Sequence, residues 1–121
     1  MITELFHAID RKDLAAFKSC LSDDCLFRFG NQPQVRGRES IGDIVAGFFN
    51  SIQSLRHDLI HSWSIEDGFV CHGMVTYTRY DGTSLSVPFC NLCKFKQSKI
   101  GEYLIFVDIS RLYREHAHVA S

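Results

Sequence analysis

The chain has 121 residues, a length typical of one domain that can bury its own core. Apolar residues make up 45% and aromatic residues 12%, a globular composition that excludes a disordered chain. The net charge is −1 and the basic residues are scattered, so we expect no nucleic-acid partner.

No apolar run approaches the roughly 18 residues of a membrane span, so we expect no membrane partner. The first residues, "MITELFHAID", lack the basic and apolar regions of a signal peptide, which favours a cytoplasmic location. The five cysteines are an odd number, and reduced thiols are the expectation in that compartment.

The first half of the chain is predicted to be mostly helical. Leu5 and Ile9 mark one face of a helix over residues 3–11, and "DLAAFKSCL", from Asp13, predicts a second helix. We expect "SDD" to end that helix before a short strand, "CLFRF", and a loop, "GNQPQVRG". The clearest helix is "RESIGDIVAGFFNSI", whose apolar residues recur at helical spacing.

The second half is predicted to be a meander of four β-strands. Residues 56–65 alternate, which predicts one shared strand face for His57, Leu59, His61, Trp63 and Ile65. After the turn "EDG" come the strands "FVCHGMVTYTRY", "TSLSVPFCNLCKFK" and "IGEYLIFVDI", with "DG" marking a hairpin. Pro88 indicates a bulge or an edge in the return strand.

These elements predict an α+β domain over residues 1–113, followed by a flexible tail over residues 114–121. The helices are segregated from a long antiparallel sheet. A curved sheet with helices over its concave side leaves a conical space, and small ligands bind in such concavities.

Two short patterns resemble metal or redox motifs. "RHDLIHSW" places His57 and His61 four residues apart, as in the H-E-x-x-H zinc motif, but with Asp58 after the first histidine. On a strand the two histidines would be roughly 13 Å apart, too far for one zinc ion. "CNLC" would point its thiols to opposite faces, so buried single thiols are the better interpretation. Neither a metal nor another cofactor is implied.

Four segments carry a resemblance to a known family: "AIDRKDLAAFKSCLSDD", "VRGRESI", "VTYTRYDGTSLSVPF" and "SKIGEYLIFVD". With them the chain resembles the SnoaL-like branch of the nuclear transport factor 2-like superfamily over residues 2–113. The resemblance implies a ketosteroid isomerase- or scytalone dehydratase-like fold, a cone-shaped α+β barrel of the cystatin-like type. It also implies a deep apolar pocket for a small hydrophobic molecule and a homodimer formed through the outer sheet face.

Residue-by-residue comparison excludes one family chemistry. Leu5 and Phe29 occupy the positions of the tyrosine and the aspartate base of ketosteroid isomerases, so that reaction is not expected. Asn91 stands at the position of the isomerase acid and could still donate a hydrogen bond into the pocket.

The Asp–Arg–Asp set of limonene epoxide hydrolases has only a partial counterpart. Arg79 and Asp81 resemble it in sequence, and Asp108 stands where one acid would be. However, Arg79 and Asp81 abut the hairpin turn, and the family positions fall nearer Val75 and Tyr77. Exposed hairpin residues are the simpler interpretation.

Scytalone dehydratase and hexachlorocyclohexane dehydrochlorinase match better. Both pair an aspartate near the end of the first helix with a histidine at the start of the first long strand, positions that Asp10 and His57 occupy here. A histidine can take and return a proton at neutral pH, and a carboxylate on its other nitrogen fixes the tautomer. We therefore predict His57 as general base and Asp10 as its orienting acid, with His61 as a less well-placed alternative.

The predicted substrate-binding residues are Asn91, Tyr77, Thr76, Asp108 and Trp63. Other interpretations stay open: Asp10 as a solvated helix end, His57 as a histidine satisfied by backbone groups, and His61 as part of the core or dimer interface. The chain is accordingly a cofactor-independent lyase or isomerase, a non-catalytic binder of apolar ligands, or a dimerisation module.

Overall fold

Three helices and six strands make up residues 1–113, the part of the chain that the computed structural model describes. The helices are α1 (Ile2–Asp10), α2 (Leu14–Ser19) and α3 (Arg38–Ser51). The strands are β1 (Leu21–Phe29), β2 (Val35–Arg36), β3 (Ser54–Ile65), β4 (Gly68–Thr78), β5 (Ser84–Lys96) and β6 (Lys99–Val107). The predicted α+β class and the three predicted helices are confirmed. The tail predicted over residues 114–121 lies outside the described residues, and none of the described helices could span a membrane.

Local interactions explain how the helices meet. Asp13 caps α2 by accepting a hydrogen bond from the backbone of Ala16 at 3.1 Å. Lys12 makes the turn between α1 and α2 with a left-handed φ of 54°. Its ammonium donates to the carbonyl oxygens of Phe49 at 2.9 Å and Ile52 at 2.8 Å. Because helix C-termini leave such carbonyls without intrahelical partners, Lys12 ties the end of α3 to the end of α1.

The strands form one curved sheet in the order β2-β1-β6-β5-β4-β3. The sheet is mixed and unclosed, not purely antiparallel as the sequence predicted, because β1 runs parallel to its neighbour β6. The "SDD" segment was expected to end α2 ahead of the strand, but α2 ends at Ser19 and the segment lies within β1. Leu21 pairs with Ile100 and Leu26 with Glu102, so the intervening residues bulge from the ladder.

Pro88 lies at a local edge of the sheet, as its residue type indicates. Residues 84–88 of β5 pair with β4, whereas the pairing of β5 with β6 begins only at Phe89 and Val107. The missing backbone N–H of proline is tolerated at such a position.

A β-bulge at Ile60 divides β3 into two halves. Odd-numbered side chains point to one face of the sheet before the bulge and to the other face after it. Leu59 pairs with Gly73 and His61 with His72, which leaves Ile60 without a partner on β4. A side chain at Gly73 would approach the carbonyl oxygen of Asp58 to 2.2 Å, so the bulge requires glycine there.

The bulge overturns the prediction that alternating residues of β3 share one face. His57 pairs with Val75, an inward-facing residue of β4, whereas His61 and Trp63 pair with the outward-facing His72 and Val70. One extra residue reverses every later side chain in a period-two pattern. The odd-numbered residues of β3 therefore point toward the helices before the bulge and away from them after it.

Candidate active site

The carboxylate of Asp10 holds His57 at two points. Asp10 Oδ1 lies 2.6 Å from His57 Nδ1, and Asp10 Oδ2 accepts the backbone N–H of His57 at 3.0 Å. The predicted contact between these two residues is therefore present. The side chains are 11% exposed for His57 and 25% for Asp10, so both contacts are shielded from bulk water.

Asp10 occupies an unfavourable place for an acid. It is the last residue of α1, where the partial negative charge of the helix C-terminus disfavours a carboxylate by about 0.3–1 kcal/mol. The two hydrogen bonds from His57 offset this cost, since hydrogen bonds to charged groups contribute about 1.5–3 kcal/mol each. A local conflict that is compensated by one specific partner is typical of functional sites.

The imidazole of His57 lies between two phenylalanine rings. Its centroid is 4.8 Å from that of Phe6 and 5.1 Å from that of Phe89, the latter in an edge-on geometry. An ionised carboxylate can only accept hydrogen bonds, so Nδ1 carries the proton in the neutral ring and Nε2 has a free lone pair. The ring also lines an apolar cavity, and Nε2 is the nitrogen available to a ligand there.

The cavity lies between the helices and the inner face of the sheet. The space open to the centre of a water-sized sphere is about 50 Å³. Its wall is mostly aliphatic and aromatic: Ile9, Phe17, Phe27, Phe29, Val45, Phe48, Phe49, Leu55, His57, Val75, Tyr77, Phe89, Asn91, Tyr103, Ile105 and Val107. Few polar groups in an apolar wall are characteristic of small-molecule sites.

Asn91 is the most notable polar group of this wall. It is 1% exposed, and its Oδ1 is buried without a hydrogen-bond partner among the described residues. Such an unpaired buried atom costs about 1–3 kcal/mol. A bound hydroxyl or N–H group would satisfy it.

Two tyrosines add hydroxyl groups to the same wall. Burial raises the pKa of Tyr77, and burial likewise raises the pKa of Tyr103 well above its ordinary range. Both phenols therefore stay protonated at neutral pH and can donate hydrogen bonds. Tyr77 was predicted from the sequence, whereas Tyr103 was missed. The available signal was the alternation of Tyr103, Ile105 and Val107 along the last strand, which places all three on one face.

Comparison with known proteins agrees with this architecture. The family model of the SnoaL-like domain matches residues 2–103. The chain belongs to the SnoaL-like family. No curated protein matches the chain.

Solved structures that resemble this SnoaL-like chain share its fold at low identity. A candidate SnoaL-like polyketide cyclase from Jannaschia is 16% identical, with a TM-score of 0.82 over 93% of this chain and 86% of that one. A protein of ketosteroid isomerase-like fold from Catenulispora acidiphila, in complex with trimethylamine, is 15% identical, with a TM-score of 0.82 over 90% and 85%. TerC, co-crystallized with polyporic acid, is 16% identical, with a TM-score of 0.79 over 99% and 95%. A shared fold does not define the reaction.

Three of the predicted substrate-binding residues lie outside the lining of the cavity. Successive residues of a strand point to opposite faces, so Thr76 points away from the cavity that Tyr77 lines. Its hydroxyl group shares a hydrogen bond of 2.7 Å with that of Ser86. Trp63 is 51% exposed on the outer face, where the bulge directs it. Asp108 is exposed and accepts the backbone N–H of Ser110 at 2.9 Å.

The remaining candidates have structural surroundings of their own. Arg79 donates to the carbonyl oxygen of Leu112 at 2.8 Å, and Asp81 accepts the backbone N–H of Thr83 at 2.9 Å, both near the hairpin. His61 stacks on Trp63 at 5.3 Å on the outer face, so it cannot share a metal ion with His57. Within residues 1–113 no group of three or more metal-ligating side chains is present.

Proposed function

We propose that this SnoaL-like protein is a cofactor-independent lyase or isomerase acting on a small hydrophobic carbonyl compound, of the polyketide-like class. The observation that carries the proposal is the 2.6 Å contact between Asp10 and His57 on the wall of an apolar cavity. The contact occupies Nδ1 and leaves Nε2 of His57 free to act as the base. An apolar surround strengthens the attraction between the carboxylate and a protonated imidazole.

The chemistry follows from these positions. Nε2 of His57 removes a proton from the carbon next to the substrate carbonyl: the C–H bond breaks, an N–H bond forms, and the electron pair enters an enolate. Asp10 stabilises the resulting imidazolium. In an isomerisation the imidazolium returns the proton to another carbon of the enolate. In a dehydration the enolate expels a β-hydroxyl group, which takes that proton and leaves as water.

Hydrogen-bond donors in the cavity wall would stabilise the enolate oxygen. We assign this role to the neutral phenol of Tyr77, which lines the cavity. We assign Asn91 Oδ1, an acceptor, to the hydrogen of a substrate hydroxyl group. Two structural neighbours bear names that fit such a substrate: a candidate polyketide cyclase and TerC, crystallized with polyporic acid.

The test compares two histidine variants. A hydrophobic β-hydroxy ketone and a β,γ-unsaturated ketone both yield a conjugated enone, whose ultraviolet absorbance reports dehydration or isomerisation. We expect His57→Gln to lower kcat by about 10²-fold or more, the usual contribution of a general base. His61→Gln is the matched control, because His61 lies on the same strand but faces outward. Equal rates for wild type and His57→Gln would contradict the proposal.

A non-catalytic binder of apolar ligands is the second candidate. The predominance of aromatic and aliphatic side chains in the cavity wall favours it. Binding of such ketones without turnover by wild type, and with equal affinity for His57→Gln, would select this function over the catalytic one.

A further inference from the structure

The cavity at His57 is too small for a ring-containing ligand in the observed arrangement. Its volume of about 50 Å³ has room for a few water molecules. An apolar cavity that holds one benzene molecule measures about 150 Å³ on a comparable scale. A cyclic substrate of the kind proposed above therefore needs space that this cavity lacks.

An apolar groove adjoins the cavity and offers that space. It has a volume of about 290 Å³ and lies between α3 and the segment that follows β1. The groove is lined by Phe27, Phe29, Gln32, Pro33, Val35 and Ile44, and two of these, Phe27 and Phe29, also line the cavity. The two spaces therefore share part of their wall at these two residues.

Phe29 is the member of this pair that can move. Phe27 is 2% exposed and packs edge-on against Tyr103 at 5.6 Å, so the core fixes it. Phe29 is only half-buried and lies at the end of β1, where it packs edge-on against the half-buried Phe48 at 5.0 Å. A partly exposed ring can change rotamer without displacing the core.

We infer that the cavity and the groove form one binding site for an elongated amphipathic molecule, with Phe29 as the gating side chain between them. The polar end of the ligand lies at His57 and Asn91, and the apolar end lies in the groove. The inference deepens the proposed function, on which it rests for the polar end of the site.

The composition of the groove supports an apolar occupant. Gln32 is its one polar side chain, and Ile44 is 44% exposed although it belongs to the helix that covers the sheet. The occupant is the distal end of the ligand because the groove adjoins the cavity along their shared wall.

The test measures binding of para-alkylphenols, from phenol to para-hexylphenol, by isothermal titration calorimetry. For wild type we expect the affinity to rise by about fourfold for each methylene that enters the groove. Ile44→Lys places a charge in the groove and should abolish this gain. Ile60→Lys is the matched control, since Ile60 is exposed on β3, at the opposite edge of the sheet from β1.

The results separate this inference from the proposed function. A chain-length gain that Ile44→Lys removes and Ile60→Lys retains supports the joint site. The same gain in His57→Gln supports it even if no ketone is turned over. Absence of binding, absence of a gain, or a gain that persists in Ile44→Lys would overturn it.

A second variant tests the gate without altering the groove charge. We expect Phe29→Leu to speed association of para-hexylphenol by about tenfold in stopped-flow fluorescence, because a smaller side chain blocks the passage less. The native circular dichroism spectrum verifies that this variant is folded. An association rate equal to that of wild type would overturn the gating role.

Discussion

Asp10 binds both the ring and the backbone of His57, with Oδ1 on Nδ1 at 2.6 Å and Oδ2 on the backbone N–H at 3.0 Å. One carboxylate thus fixes the tautomer of the imidazole and the position of its strand relative to α1. Local structure and site geometry depend on the same two hydrogen bonds. A change at Asp10 should therefore affect stability and the histidine together.

Asp10→Asn should lower the free energy of unfolding by about 1–3 kcal/mol. The asparagine carboxamide has one oxygen, so it can accept only one of the two hydrogen bonds. Its NH₂ group then faces Nδ1 or the backbone N–H, and a donor opposite Nδ1 favours the tautomer protonated on Nε2. Urea unfolding measures the first effect, and ¹⁵N shifts of the imidazole measure the second.

Glu4→Gln is the control for Asp10→Asn, because Glu4 lies on the same helix with its side chain 77% exposed. We expect it to change stability by no more than about 0.5 kcal/mol and to leave the histidine tautomer unaltered. A stability and a tautomer in Asp10→Asn that are both equal to those of wild type would contradict the orienting role of Asp10.

Asn91→Leu should stabilise the protein and weaken ligand binding. Leucine has a similar volume and removes a buried oxygen that has no partner, which we expect to raise the free energy of unfolding by about 1–3 kcal/mol. The same change deletes the acceptor that would bind a hydroxyl group of the ligand. Opposite effects on stability and on phenol affinity are the signature of a residue retained for function.

The contrasting result for Asn91→Leu is a loss of stability. It would show that the carboxamide has an essential structural role in the folded protein. Val75→Leu is the matched control for steric effects, because Val75 lies on the neighbouring strand and also in the cavity wall. It should not combine a gain in stability with a loss of phenol affinity.

Sequence alone predicts much of this fold because its periodicities are strong. The amphipathic spacing of α3 and the alternation of β4 give the right elements within a few residues. The parallel pairing of β1 with β6 could not be predicted in this way, because it joins residues about 80 positions apart and depends on the sheet as a whole.

The site shows the same division. Asp10 and His57 were identified by a resemblance and meet as expected, whereas Trp63 was assigned to the wrong face. The cause is one unpaired residue, Ile60, whose effect on facing is decided by the pairing with β4 and not by the pattern within β3. Gly73, which the bulge requires, has no distinctive sequence signal of its own.

Buried thiols should make the protein sensitive to alkaline pH. Burial raises the pKa of Cys71 from 9.0 to about 11 and that of Cys25 from 9.0 to about 12. Between about pH 9 and pH 11 the unfolded chain releases thiol protons that the native state retains. The free energy of unfolding therefore falls as pH rises, by up to about 1.4 kcal/mol per pH unit for each thiol, whereas below pH 9 the contribution is fully present.

Urea unfolding at about pH 8, 9 and 10 measures this dependence. Cys71→Ala should make the decline shallower. Val75→Ala is the control, because it removes volume from the same face of β4 but no titrating group, and it should lower stability equally at each pH. An identical slope for wild type and Cys71→Ala would contradict the prediction.

The homodimer through the outer sheet face stays a prediction, and exposed apolar side chains on that face make it testable. Trp63 and Phe106 are 51% and 58% exposed, and strand pairing places both on the face that points away from the helices. Large aromatic side chains at the centre of an interface contribute about 2 kcal/mol or more each, so Trp63→Asp should weaken a dimer by about 30-fold or more.

Size-exclusion chromatography with light scattering measures the masses of wild type and variant over a range of concentrations. Ile44→Asp, an equally drastic change at an exposed apolar residue of α3, should leave the dimer intact. A wild-type protein that is monomeric at every concentration would show that the outer face serves another purpose.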